Sequence, residues 1–177
     1  MDQPAPIPAP HHLHATEFEK LARERVADLV PGVDLQAMAV VFNLVRLANR
    51  VVQDLELEVH RGAGWSWAGF RVMFTILVAG ELEPREISRL SGVSRASVSS
   101  VLNTLERDGF VERVRESTDR RLVTVRLTET GRRELLDVYR SHNRRELEWV
   151  SELTDKEQTV LSGFLRRLLA RPARHDE

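Results

Sequence analysis

The segment from Pro84 to Leu127 constrains the fold of this chain more than any other part of the sequence. Pro84 suits the first position of a short helix, in which Ile87 and Leu90 give one apolar face. A tight turn is predicted at the glycine that follows. The next helix begins after a serine that can cap it, and its apolar positions are Val98, Val101, Leu102 and Leu105. We therefore expect two helices joined by a turn that contains glycine.

A pair of strands is predicted directly after these helices. Val111 and Val114 precede a polar stretch, and Val123, Val125 and Leu127 then alternate strictly with polar residues. This alternation indicates a β-hairpin with its tip near residues 117–121. Two helices and a hairpin in this order form a winged helix-turn-helix, whose second helix enters the major groove of DNA. We assign residues 65–127 to this DNA-binding region.

Further helices are predicted on both sides of that region. The first ten residues include four prolines, so residues 1–15 are expected to be a disordered arm. Residues 16–33 fit an extra N-terminal helix. Residues 34–62 and 128–172 carry more apolar positions than one winged motif needs, which predicts dimerisation helices. The expected fold class is mainly α with a small β-hairpin wing, built as a winged helix-turn-helix domain with N- and C-terminal dimerisation helices.

The second helix of the motif has the composition of a reading helix. One face is apolar, whereas the rest is small and polar, and the first acidic residue is Glu106. Serine hydroxyls and helix N-terminal amides bind phosphates, arginine can read guanine and asparagine can read adenine. The residues predicted to contact DNA are Ser94, Arg95, Ala96, Ser97, Ser99, Ser100, Asn103 and Thr104.

The predicted wing supplies the second set of DNA contacts. Arg113 and Arg115 lie on its first strand, and Asp119, Arg120 and Arg121 lie at its tip. Arginine is favoured in a narrow minor groove by the negative potential there. A neighbouring carboxylate can orient the guanidinium through a charge-assisted hydrogen bond. A solvated charged turn is the alternative interpretation, but the position directly after a helix-turn-helix favours DNA contact.

Composition excludes several other classes of protein. Cysteine is absent, which removes disulfides, thiolate catalysis and Cys-based zinc sites and fits a reducing, cytoplasmic location. The chain contains no uninterrupted run of 18 apolar residues and no basic-then-apolar leader, so we expect neither a membrane span nor a secretory signal. Enzyme motifs and metal-spaced clusters are also lacking, so we expect no catalytic activity, no cofactor and no metal site.

The sequence resembles the multiple antibiotic resistance regulator (MarR) family of transcriptional regulators from about Asp34 to Leu169. Three motifs carry the resemblance. They are Leu90-Ser91-Gly92-Val93-Ser94-Arg95-Ala96-Ser97, then Leu105-Glu106-Arg107-Asp108-Gly109-Phe110-Val111, and the wing signature Asp119-Arg120-Arg121-x-x-x-Val125-x-Leu127-Thr128-x-x-Gly131. The wing signature is the most specific of the three.

This resemblance implies properties that the spacing alone does not. Members are typically homodimers with interleaved terminal helices, and they bind palindromic operators on double-stranded DNA. Many are repressors that small aromatic or anionic ligands release from DNA. In that family the residue matching Arg120 contacts the minor groove, and the residue matching Asp119 orients it. The extra helix resembles the urate-responsive branch, but it lacks that branch's tryptophan, and Arg71 stands where that branch has an aspartate. We therefore do not expect a response to urate.

Two further hypotheses follow from the residues. Arg46 and Arg50 lie one turn apart on an apolar helix, and Trp65 and Trp67 flank the start of the next helix. Together they predict an apolar slot with cationic ends for a flat aromatic carboxylate; packing alone is the competing interpretation. The alternative to DNA binding is a winged-helix module that binds another protein without contacting an operator.

His60 and His142 are isolated in the sequence and are expected to be ordinary surface or partly buried residues.

Overall fold

The computed structural model describes residues 14–115 and 123–171, except for the side chains of Ala15 and Arg115. The predicted fold class is confirmed, since the chain is mostly helical with a small antiparallel hairpin. The predicted arm lies almost wholly outside the described residues. The regular elements are α1 (Ala15–Leu29), α2 (Leu35–Leu55), α3 (Trp67–Ala79), α4 (Pro84–Ser91), α5 (Arg95–Arg107), β1 (Val111–Arg115), β2 (Val123–Leu127), α6 (Glu129–Val150) and α7 (Asp155–Leu169).

The chain divides into two compact units, Met1–Arg50 and Val51–Glu177. In the first unit, α1 packs on α2 through Phe18 and Phe42, whose ring centroids are 6.0 Å apart. The guanidinium of Arg46 lies over both rings, at 5.6 and 5.0 Å from their centroids. Asp34 caps α2, because its carboxylate accepts hydrogen bonds from the backbone N–H groups of residues 36 and 37.

The second unit contains the helix-turn-helix and the hairpin. Val98 and Leu102 of α5 are each 1% exposed and pack against α3 and α4 in one hydrophobic core. The two strands pair antiparallel, with Arg113 opposite Val125. Val125 is fully buried and also forms a bridge to Leu82. The apolar residues of β2 therefore hold the wing against the helices, as the alternation predicted.

Side-chain caps mark the N-termini of four helices in this unit. The hydroxyls of Ser66, Ser94, Thr128 and Thr154 each accept a hydrogen bond from a backbone N–H in the first turn of α3, α5, α6 and α7. A capping box at Thr154 begins α7, with the Glu157 carboxylate accepting from the Thr154 N–H at 2.8 Å.

The region after α2 differs from the prediction. A dimerisation helix was predicted over residues 34–62, but the α-helix ends at Leu55 and a π-helical turn follows over Glu56–His60. A 3-10 turn over Arg61–Ala63 completes the segment. Apolar periodicity cannot distinguish these forms, because one widened turn shifts the apolar face too little to change the pattern.

One helical stretch, Leu35–Ala63, is long and apolar enough by length and composition to cross a membrane, with a mean hydropathy of 1.3. This stretch contains no uninterrupted run of 18 apolar residues, because polar side chains, among them Arg46 and Arg50, interrupt it. Only 6% of that window is buried within the chain. An exposed apolar helix face of this kind indicates a site of association with another molecule.

Candidate nucleic-acid interface

Serine hydroxyls form hydrogen bonds within the N-terminal turns of α5. Ser94 accepts from the Ser97 N–H at 3.2 Å, which caps the helix, and its own hydroxyl lies 2.8 Å from the Ser97 hydroxyl. The Ser99 hydroxyl donates back to the Arg95 carbonyl at 3.1 Å. Ser94 and Ser99 thus have structural roles as well as exposed positions.

The structure brings the eight predicted reading residues to one exposed surface of α5. Ser94, Arg95, Ala96, Ser97, Ser99, Ser100, Asn103 and Thr104 are all exposed, whereas Val98 and Leu102 point into the core. The apolar face that docks the helix and the polar face that can approach base edges are therefore opposite each other, as the sequence predicted.

A groove between α4 and α5 adds cations that sequence reasoning missed. Its volume is about 400 Å³, and Arg85, Arg89 and Arg95 line it together with Glu86 and Ser88. The spacing of Arg85 and Arg89, one helical turn apart and opposite the apolar face of α4, was the available signal. Guanidinium groups at the edge of a groove this size suit the phosphate oxygens of a nucleic-acid backbone.

Arg113 has partners within the protein. Its Nη2 donates to Asn103 Oδ1 at 2.8 Å, and its Nη1 donates to the Glu106 carboxylate. The strand therefore holds the end of α5 that carries Asn103. The remaining wing residues predicted to contact DNA, namely the Arg115 side chain, Asp119, Arg120 and Arg121, lie outside the described residues.

An arginine of α3 contacts the turn between α4 and α5. Gly92 has a φ of 66°, in the left-handed region that favours glycine. The Arg71 guanidinium donates to the Ser91 carbonyl, and a Cβ built on Gly92 would lie 2.7 Å from Arg71 Nη2. Arg71 of α3 thus contacts the turn that joins α4 to α5.

The prediction that His60 and His142 are ordinary surface or partly buried residues is wrong, because both are buried. His60 is fully buried and His142 is 4% exposed, and His60 Nε2 lies 3.1 Å from His142 Nδ1. His142 Nε2 lies 3.1 Å from a carboxylate oxygen of Glu146. The rings of Trp67 and Phe70 stack on the pair. Burial, together with His142, lowers the pKa of His60 from 6.5 to about 4.

The four residues of the predicted effector slot have different surroundings. Trp65 is 6% exposed and meets the Phe110 ring edge-on, at 5.5 Å between centroids, and Trp67 belongs to the stack around His60. Arg46 covers the phenylalanine rings of its own unit, and Arg50 is exposed. The slot itself stays a prediction.

Comparison with known proteins identifies the family. The model of the MarR family matches residues 65–123. The HTH-type transcriptional regulator YwaE of Bacillus subtilis (strain 168) is 35% identical over 139 residues, which cover 78% of this chain and 81% of that protein. The chain belongs to the MarR family. It is a DNA-binding transcriptional regulator, and members of this family are regulators and not enzymes.

Other relatives agree with the MarR assignment. The HTH-type transcriptional repressor YetL of Bacillus subtilis (strain 168) is 26% identical over 164 residues, covering 92% of this chain and 93% of that one. The crystal structure of Sco3205, a MarR family regulator from Streptomyces coelicolor, was determined in complex with DNA. It superposes with a TM-score of 0.71 at 20% identity, covering 81% of this chain and 93% of that one. At that identity the likeness shows the fold.

Proposed function

We propose that this MarR family regulator is a homodimeric repressor that binds a palindromic operator. The observation that supports it most is the exposed face of α5, which is free of acidic residues before Glu106 and adjoins the groove lined by Arg85, Arg89 and Arg95. Base edges would meet the polar face of α5, and the groove would hold phosphates. Two copies related by a two-fold axis would then read inverted half-sites about one helical turn apart.

The experiment is an in vitro selection of duplex DNA followed by affinity measurements at several salt concentrations. We expect an inverted repeat with half-site centres about 10 base pairs apart. Arg95→Ala should relax base preference and cost about 1–3 kcal/mol. Arg120→Ala should weaken binding and lower the salt slope by about one for each arginine lost, and thus by about two for a homodimer. If no sequence is enriched and affinity does not depend on salt, the chain is instead a winged module that binds another protein.

The proposed regulation is release from DNA by a small aromatic or anionic ligand. It is supported by two cations, Arg46 and Arg50, on the largely apolar α2, with the Arg46 guanidinium stacked on aromatic rings. A ligand can release DNA only to the extent that it binds the DNA-free state more tightly. Aromatic acids should be screened for release of a labelled operator, with Arg50→Ala as the variant. If no acid weakens operator binding, this part of the proposal is wrong.

A further inference from the structure

A guanidinium on the wing hairpin holds a predicted reading residue of α5. Arg113 shares a face of β1 with Val111, which is 2% exposed, and stands opposite the buried Val125. The strand therefore directs the Arg113 side chain toward the helices. Its two terminal nitrogens reach Asn103 and Glu106, which lie three residues apart on α5.

The chemistry of this contact fixes the orientation of the asparagine amide. An arginine side chain has five N–H donors and no acceptor, so the Asn103 oxygen must face it. The second nitrogen of Arg113 is engaged by Glu106, and a planar guanidinium held at both nitrogens has little freedom to turn. The amide nitrogen of Asn103 is therefore directed away from Arg113, and Asn103 presents its two N–H groups to whatever approaches.

We infer that Arg113 is a positioning residue for base specificity, which makes Asn103 a hydrogen-bond donor and favours guanine over adenine at the base it faces. This inference rests on the proposed operator binding. A freely oriented asparagine reads adenine with both amide atoms, accepting from N6 and donating to N7. An asparagine presenting only donors meets two acceptors on guanine, N7 and O6. On adenine only N7 can accept from it, because the N6 amino group is also a donor.

Glu106 has a defined part in the same arrangement. Its carboxylate is the first acidic group along α5 and would repel phosphate if it were unpaired. Pairing with Arg113 compensates this charge and holds the guanidinium in place, with the Arg113 and Glu106 side chains 32% and 38% exposed. The three side chains thus form one unit on the surface of the helix.

The test compares operator duplexes that differ at one base pair. The relevant position is the one at which Asn103→Ala removes the base preference. At that position we expect the wild-type protein to prefer guanine over adenine by about 5- to 100-fold, the range for one good base contact. Arg113→Lys keeps the positive charge but cannot hold both partners as a fork. It should reduce this preference at least about fivefold while leaving the salt slope unchanged.

A matched control is available on the neighbouring strand. Arg126 is also an exposed arginine of the hairpin, and its Nε lies 2.8 Å from the Glu112 carboxylate. Arg126→Lys changes the same chemical group in the same hairpin without touching α5, so the guanine preference should stay within about twofold of the wild-type value. In the Asn103→Ala background, Arg113→Lys should have no further effect on preference, because its action passes through Asn103.

Three results would overturn the inference. The first is a wild-type preference for adenine at that position. The second is a uniform loss of affinity for every base in Arg113→Lys, which would make Arg113 a contact to the DNA backbone. The third is an Asn103→Ala variant that keeps every base preference. In each case an operator would still be selected, whereas failure of the proposed function would appear as no selected operator at all.

Discussion

Gly131, at the start of α6, is the glycine with the least room for a side chain. A Cβ built there would lie 1.9 Å from the carbonyl oxygen of Phe110, a backbone atom that cannot swing away. The same carbonyl accepts from the Thr128 N–H at 3.0 Å, and the Thr128 hydroxyl donates to the Gly109 carbonyl at 2.7 Å. Glycine is therefore required where the first turn of α6 lies against the backbone of Phe110, between α5 and β1.

We expect Gly131→Ala to lower the free energy of unfolding. Overpacking costs about 1–3 kcal/mol, against a gain of about 1 kcal/mol in helix propensity, so the net loss should be up to about 2 kcal/mol. The control is Gly163→Ala in α7, where a built Cβ meets nothing within 4 Å. That variant should gain up to about 1 kcal/mol. Urea unfolding at one protein concentration measures both, and equal gains would contradict the predicted clash.

At the scale of the elements, the sequence predicted what is encoded locally. Ser94 begins α5 at the expected position, because a cap and the helix it begins are neighbours in sequence. The alternation from Val123 to Leu127 located the second strand for the same reason. The reading face of α5 followed from its apolar periodicity, so most of the candidate interface was predictable.

What could not be predicted depends on pairs of residues from different elements. His60 and His142 are 82 positions apart, and neither periodicity nor a motif connects them. Arg113 was predicted to contact DNA from its place on the hairpin, and its bonds to Asn103 and Glu106 depend on how a strand packs against a helix. Arg85 and Arg89 were overlooked because their groove exists only once α4 and α5 are packed together.

The contact between the π-helical turn and α6 predicts a dependence of stability on pH. The folded chain lowers the pKa of His60 from 6.5 to about 4, so between these values it binds fewer protons than the unfolded chain. The free energy of unfolding should therefore fall as the pH decreases from 6.5 toward 4, by up to about 3 kcal/mol from this group. As the pH rises above 6.5, His60 becomes neutral in the unfolded chain as well, and this loss of stability disappears.

His60→Gln is the variant that isolates this effect. A glutamine amide can still donate to His142 Nδ1 but does not titrate in this range. The free energy of unfolding is measured by urea for both proteins at pH 7, 6, 5 and 4. The difference between the two profiles cancels the contribution of the carboxylates, which both proteins share. The wild-type protein should lose more stability than the variant below pH 6.5. Parallel pH profiles would mean that His60 is not the titrating group.

At the scale of the whole molecule, the distribution of exposed apolar side chains calls for a partner. On α7, Val160, Leu161, Phe164 and Leu168 lie on one face and are 40–54% exposed. They adjoin an apolar groove of about 340 Å³ that also includes Leu153. On α2, Val40, Val41, Leu44, Val45 and Leu47 are 37–59% exposed. Surfaces of this kind mark association sites, and a second copy is the partner that the proposed palindromic operator requires.

The last prediction tests that association through one substitution on α7. Phe164→Glu places a charge on the apolar face, and a two-fold dimer carries the change twice. Losing two buried phenylalanines should cost about 3 kcal/mol or more, which weakens dimerisation at least about 100-fold. Light scattering at micromolar concentration should then detect a monomer, and operator affinity should fall with it.

Ser162→Glu adds the same charge to an exposed position about half a turn away, and it should remain dimeric. A wild-type protein that is monomeric at every concentration would contradict the homodimer, whereas a dimer unaffected by Phe164→Glu would show that the copies associate through another surface.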